Sequence, residues 1–170
     1  MAEALIIPKG ASKSEVYETI LPQIKSVIEG EGNLIANLAN VAAILKEAFG
    51  FFWAGFYLMD GNQLVLGPFQ GPLACTRIPV RPIARGVCGK AAVEQVTLVV
   101  EDVDQFPGHI ACSSTSRSEI VVPLIYGGET KLVLDIDSKQ LDDFDEIDQD
   151  YCEKIIDLIR QNNFSKISSF

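Results

Sequence analysis

Three observations predict an α+β sandwich. Leu34, Leu38, Val41, Leu45 and Phe49 recur at three- and four-residue steps, which is helical spacing. From Phe51 the period changes to two, and two pairs of such runs meet at glycine turns, Asp60-Gly61-Asn62 and Gly127-Gly128. A last amphipathic segment opens in the acidic run DDFDEID, suited to a helix N-terminus. The order is helix, helix, strand, strand, strand, short helix, strand, long loop, strand, strand, helix.

Taken in turn, Ser12 and Glu15 form a capping box that starts a helix running to about Glu29, with Pro22 as a kink and Gly30 and Gly32 as its stop. The second helix occupies about 33–49 and ends at Gly50. FFWAGFYLMD and QLVLGPF flank the first turn as antiparallel strands, with Trp53, Gly55 and Tyr57 sharing one face. TRIPV and TLVVEDV are short strands on either side of a helical turn in RGVCGKAAVEQ. SEIVVPLIY and TKLVLDIDS form the second hairpin, and the closing helix places Phe144, Ile147, Tyr151, Ile155 and Leu158 on its buried stripe. No repeat or low-complexity linker divides the chain, so one domain is expected over 1–170, with a core at about 33–160 and residues 1–32 as an N-terminal helix and lead-in.

With 48% apolar residues in 170, the chain can build a core without staples. Its net charge of −9 repels phosphate backbones and anionic lipid, which argues against nucleic acid and membrane as partners. The opening MAEALIIPKG has no basic region or long apolar run, so a reducing, cytoplasmic location is expected. There the four cysteines are candidates for metal ligation, redox chemistry, nucleophilic catalysis or core filling.

Period two places Asp135 and Asp137 on one face of KLVLDIDS with Val133, opposite Leu132, Leu134 and Ile136. Two carboxylates on one strand face mean either a wet strand end or a cluster that meets a cation such as a small ammonium ligand, and Glu119 on the neighbouring hairpin strand could complete it. Cys88 enters a helix in a glycine-flanked turn, where free N–H groups and the helix dipole favour a thiolate, so on acidity alone it is the best nucleophile. Cys112 lies in GHIACSSTSRSEIVVPL beside Ser113, Ser114, Thr115, Ser116 and Ser118, a pattern that predicts a solvated loop and an accessible thiol. His109 is placed to assist its ionisation, although a lone loop histidine is ordinarily a surface residue. Cys75 stands near a strand start, and Cys152 reads as core. Cys75, Cys88, His109 and Cys112 make only a weak zinc set, because no CxxC pair is present.

WAGFYL, GPLACTRI, GVCGKA, EDVDQFPGHIAC, SEIVVPL and LDIDS together resemble the free methionine-(R)-sulfoxide reductases, single GAF-domain enzymes, from about Asn33 to Ile156. The resemblance implies a GAF-like fold: a central antiparallel sheet with the terminal helices on one face and a loop-covered ligand pocket on the other. It also implies that Cys112 attacks the sulfoxide sulfur and becomes a sulfenic acid, which Cys75, or otherwise Cys88, resolves as a disulfide. Thioredoxin would recycle that disulfide, with no metal or organic cofactor. Glu119, Asp135 and Asp137 would hold the substrate ammonium and polarise the sulfoxide, and Trp53 and Tyr57 would enclose the methyl-sulfur end. A homodimer suits the family. The competing expectation is a GAF module that binds a small molecule, or senses redox state, without turnover.

Overall fold

Ser12 and Glu15 cap each other as their spacing predicts, the Ser12 N–H donating to Glu15 Oε2 at 2.8 Å. The helix they open is α1 (Lys13–Ile28), which continues through Pro22. The computed structural model describes residues 4–110 and 114–163. After α1 come α2 (Leu34–Phe49), β1 (Trp53–Asp60), β2 (Gln63–Gln70), β3 (Arg77–Pro79), α3 (Gly86–Glu94), β4 (Leu98–Val100), β5 (Ser118–Tyr126), β6 (Glu129–Ser138) and α4 (Glu146–Asn162). Gly50 ends α2 in the left-handed region at φ 68°, a conformation that costs glycine little.

The six strands form one antiparallel sheet in the order β3-β2-β1-β6-β5-β4. Alternation along the strands divides their side chains between two cores. Phe56, Ile120, Val122, Leu134 and Ile136 point to the face covered by α1, α2 and α4. Trp53, Tyr57, Val121 and Val133 point to the other, where Val87, Cys88 and Ala91 of α3 pack against them. The terminal helices therefore share one face, as expected, and the second face is left to α3 and loops. No helix among the described residues is long and apolar enough to cross a membrane.

Three expectations change in detail. The strands in TRIPV and TLVVEDV shrink to three residues each, and a 3-10 turn, Val103–Gln105, occupies the end of the second. The buried stripe of α4 is Asp148, Cys152, Ile155, Ile156 and Ile159, while Ile147 is exposed and Phe144 is buried ahead of the helix. A buried acid sets that rotation: Asp148 is fully buried, accepts from Tyr17 Oη at 2.9 Å and pairs with Lys13. Once neutralised in this way it can occupy an inward position that hydrophobicity alone assigns to its neighbour. Cys152, within reach of the same tyrosine hydroxyl at 3.8 Å, is a core thiol as read, and burial pushes it up to about 12. Finally, Ser116 and Ser118 are buried, not solvated. Ser116 donates to Asp137, and Ser118 Oγ donates to the Gln140 carbonyl at 2.7 Å.

Candidate active site

Strand register brings the predicted residues together. Trp53 on β1 stands opposite Asp137 on β6, and Asp137 stands opposite Glu119 on β5, giving one cross-strand row. The next row on the same face is Gly55, Asp135 and Val121. Gly55 has a packing reason to lack a side chain, since a Cβ there would lie 2.6 Å from Trp53 Cη2. The indole thus lies over the glycine, stacked on Phe69 at 5.3 Å and on Tyr57 at 5.9 Å between centroids. Tyr57 Oη donates to the Cys75 carbonyl at 3.0 Å, tying this aromatic wall to the loop after β2.

Above these rows lies a cavity of about 570 Å³ including its open mouth, walled by Trp53, Tyr57, Ala74, Ile78, Val87, Cys88, His109, Ser116, Glu119, Asp135 and Asp137. Its mixed lining of aromatic and acidic side chains suits a small polar ligand. The cavity floor is acidic and largely buried. Glu119 and Asp135 are each 6% exposed. Burial first, then repulsion from neighbouring carboxylates, raises both well above the usual carboxylate range. Burial likewise lifts Asp137 to about 6, opposed by the hydrogen bond from Ser116. Asp135 Oδ1 has no partner among the described residues. The reading of a wet strand end therefore gives way to a buried cluster.

Cys88 corrects the acidity argument. It enters α3 as expected, but it is 3% exposed, and its thiol donates to Glu119 Oε1 at 3.8 Å. Burial, then the charges of Asp135 and Glu119, push the thiol well above its ordinary value. A helix dipole contributes only ~0.3–1 kcal/mol, too little to offset desolvation beside two acids. Cys75 is half-buried and disulfide-bonded, whereas Cys88 and Cys152 are free. Cys112 lies outside the described residues, so its accessibility and distance to the acids stay with the sequence reading. The zinc set of Cys75, Cys88, His109 and Cys112 loses Cys75 to the disulfide. Donor atoms of Cys88, Glu119 and Asp135 do lie within 4.8 Å of one another. Each is drawn toward its protonated form, which competes for the same lone pairs, and we read the trio as a proton-holding cluster.

Sequence reasoning missed two contributors. Ser116 reads in sequence as one loop hydroxyl among several, yet it fixes Asp137; nothing in a run of serines marks the one that turns inward. His109, which reads in sequence as an aid to Cys112 or else a surface residue, lines the cavity.

The sheet order, the terminal helices gathered on one face and the loop-walled cavity on the other define a GAF-domain protein, and the GAF domain family model matches residues 36–162. GAF domain-containing protein A of Dictyostelium discoideum is 59% identical over 160 residues, covering 94% of this chain and 99% of that protein. The free methionine-R-sulfoxide reductase of Escherichia coli is 42% identical over 146 residues, covering 85% and 87%. The X-ray structure of free methionine-R-sulfoxide reductase from Neisseria meningitidis in complex with its substrate is 51% identical, covers 98% of this chain and 99% of that one, and superposes with a TM-score of 0.91. Within the GAF-domain proteins, this chain belongs to the free methionine-R-sulfoxide reductase family.

Proposed function

We propose that this chain reduces free methionine-(R)-sulfoxide to methionine by thiol chemistry. The observation that carries the reading is the acid trio of buried Glu119 and Asp135 with half-buried Asp137, set against the Trp53 and Tyr57 wall, beside a loop whose Cys75 is disulfide-bonded. Such a pocket suits an ammonium group at one end and an apolar methyl-sulfur group at the other. Similarity to reductases, one of them solved with its substrate, supports the same assignment.

In the proposed cycle the Cys112 thiolate attacks the sulfoxide sulfur while a protonated carboxyl of the cluster gives its proton to the sulfoxide oxygen. Glu119, held protonated by burial, is the first candidate for that donor. The new S–S bond and the old S–O bond then break as the hydroxyl passes to the cysteine sulfur, leaving methionine and a sulfenic acid. The Cys75 thiol then displaces water from the sulfenic acid to form the disulfide. Thioredoxin, as external dithiol, reduces that disulfide, and the cycle needs no cofactor. The disulfide-bonded state of Cys75 and the free, buried state of Cys88 favour Cys75 over Cys88 as the resolving thiol. The test is NADPH consumption by purified protein with thioredoxin, thioredoxin reductase and the free (R)-sulfoxide. Absence of consumption, combined with tight calorimetric binding of another small molecule, would replace this reading with that of a non-catalytic module.

A further inference from the structure

Leu73 and Ile83 are the two most exposed large apolar side chains among the described residues, at 90% and 72%. They flank β3, an edge of the sheet, and disulfide-bonded Cys75 lies between them in sequence, two residues after Leu73. Large apolar side chains gathered at one surface mark a contact site. The charge around them is the reverse of that of the chain as a whole. No acidic residue occurs between Asp60 and Glu94, a stretch that holds Arg77, Arg81, Arg85 and Lys90, in a chain of 14 basic and 23 acidic side chains. Arg77 pairs with Asp60 at 3.2 Å and Lys90 with Glu94 at 3.9 Å. Arg81 and Arg85 are exposed, and their guanidinium groups have no partner among the described residues. We propose that Leu73, Arg81, Ile83 and Arg85 form the docking surface for the protein dithiol that reduces the Cys75 disulfide, an inference that rests on the thiol cycle above for the identity of the reductant. The partner this face fits carries its thiols in an apolar surface rimmed by acidic side chains.

A protein reductant must bring its sulfur against that of Cys75, so its footprint is centred there. A standard interface covers about 800 Å² on each partner, a disc of roughly 16 Å radius. From Cys75 the chain runs only as far as Pro79 before the Arg85 N–H returns to the Pro79 carbonyl at 3.0 Å. Four extended residues span at most about 14 Å, so the turn that carries Arg81, Ile83 and Arg85 begins inside that disc. The backbone beneath is fixed: Tyr57 Oη donates to the Cys75 carbonyl, the Leu66 N–H to the Thr76 carbonyl at 3.0 Å, and the Val80 and Arg81 N–H groups to the Asn62 carbonyl at 2.9 and 3.0 Å. An acidic partner is repelled by the acid-rich remainder of the chain and drawn to this face, which orients its approach. Once docked, its thiolate bonds to the Cys75 sulfur as the existing S–S bond breaks, and the other half of that bond leaves as a thiolate that takes a proton. The partner's second thiol then attacks the mixed disulfide, loses its proton and releases the Cys75 thiolate, which is protonated in turn. Two electrons have passed to this chain, and the partner ends as the disulfide.

The experiment measures reduction of the full chain, first oxidised with diamide, by reduced thioredoxin and by dithiothreitol, using acid quench, alkylation and mass spectrometry of the Cys75 peptide. Wild type is compared with the double variant Arg81→Glu/Arg85→Glu and with Ile83→Asp. None of these side chains lines the cavity, and circular dichroism melting confirms folding. Charge reversal is expected to slow reduction by thioredoxin about 10- to 100-fold at low ionic strength and to flatten its salt dependence, with reduction by dithiothreitol within about 2-fold of wild type. Ile83→Asp is expected to slow the thioredoxin reaction about 3- to 10-fold at every salt concentration and to leave the dithiothreitol reaction within the same about 2-fold range. Equal losses with both reductants, or none with thioredoxin, overturn the inference. A change of oligomeric state by light scattering in either variant also overturns it, because this face is then a contact between copies of the chain. The reductase reading is tested apart, by methionine release from the free (R)-sulfoxide with dithiothreitol as reductant. Its failure leaves the docking result standing, since oxidation by diamide requires no substrate.

Discussion

Cys88 Sγ lies 3.8 Å from Glu119 Oε1, and both residues are shut away from solvent. A helix that ought to activate its first cysteine instead presses that thiol against two acids, where burial and negative charge keep it neutral. At pH 7.5 we expect Cys88 in the native protein to react with iodoacetamide at least about 100-fold more slowly than free cysteine, and normally once urea has unfolded the chain. Peptide mass spectrometry against time measures this. Rapid native labelling of Cys88 would contradict the neutral, buried thiol.

The proposed cycle separates the cysteines by turnover. Cys112→Ser is expected to abolish methionine release altogether. Cys75→Ser is expected to release about one methionine per chain and then stop with thioredoxin as reductant, because the sulfenic acid forms but is not resolved. Cys88→Ser is expected to continue cycling within about 10-fold of wild type. Quenched-flow quantification of methionine reads all three, and multiple turnovers by Cys75→Ser combined with arrest of Cys88→Ser would transfer the resolving role to Cys88.

Stability should carry the imprint of the acid cluster. Glu119, Asp135 and Asp137 bind protons more tightly folded than unfolded, so the native state takes up protons relative to the unfolded chain and stability falls as pH rises. The loss begins near the ordinary carboxyl range around 4 and, for Asp137, runs through its folded value of about 6. Asp135→Asn removes one buried acid, and we expect it to raise Tm at pH 8 by about 2–8 °C, corresponding to roughly 1–2 kcal/mol, with a smaller gain at pH 5. Its kcat/KM on the sulfoxide should fall at least about 100-fold. Differential scanning calorimetry at the two pH values checks the sign, and an equal gain at both would remove the cluster as the cause.

Much of this architecture was legible in the sequence because period and turn chemistry are local. Gly61 and Gly127-Gly128 mark the hairpins, and period two put Asp135 and Asp137 on the face of Val133 before any contact was known. What escaped was set by tertiary contact. The inward turn of Asp148 depends on Lys13 and Tyr17, more than 130 positions away, and the neutrality of Cys88 depends on a carboxylate 31 positions away. The roles of Ser116 and His109 come from where their loops land, which spacing does not encode. The attacking role of Cys112 rests on the resemblance alone.

Gly55 should tolerate no side chain. A Cβ there meets Trp53 Cη2 at 2.6 Å and Phe69 Cα at 2.9 Å, and the second of these is backbone that cannot swing aside. Gly55→Ala is therefore expected to destabilise by about 1–3 kcal/mol and to push the indole into the cavity. On the proposed reaction the KM should rise roughly 10-fold with a smaller change in kcat, because crowding of the methyl-sulfur end impairs binding before chemistry. Urea melts and steady-state kinetics test the two parts, and an unchanged KM would mean that Trp53 does not border the substrate.

Ser116 offers a way to tune the cluster without removing a charge. Its hydroxyl donates to Asp137 and holds that carboxyl down, against the burial that lifts it to about 6. Ser116→Ala removes a bond worth ~0.5–1.5 kcal/mol, which raises Asp137 by roughly half a unit to one unit. If ionised Asp137 helps hold the substrate ammonium, the acid limb of the kcat/KM profile moves to higher pH by that amount: the variant loses most at pH 6 and approaches wild type at pH 8. A profile lowered evenly at every pH would make Ser116 a packing residue and detach Asp137 from ammonium binding. A shifted limb with an unchanged plateau would tie the inward serine, the cross-strand acid and the substrate ammonium into one titrating unit.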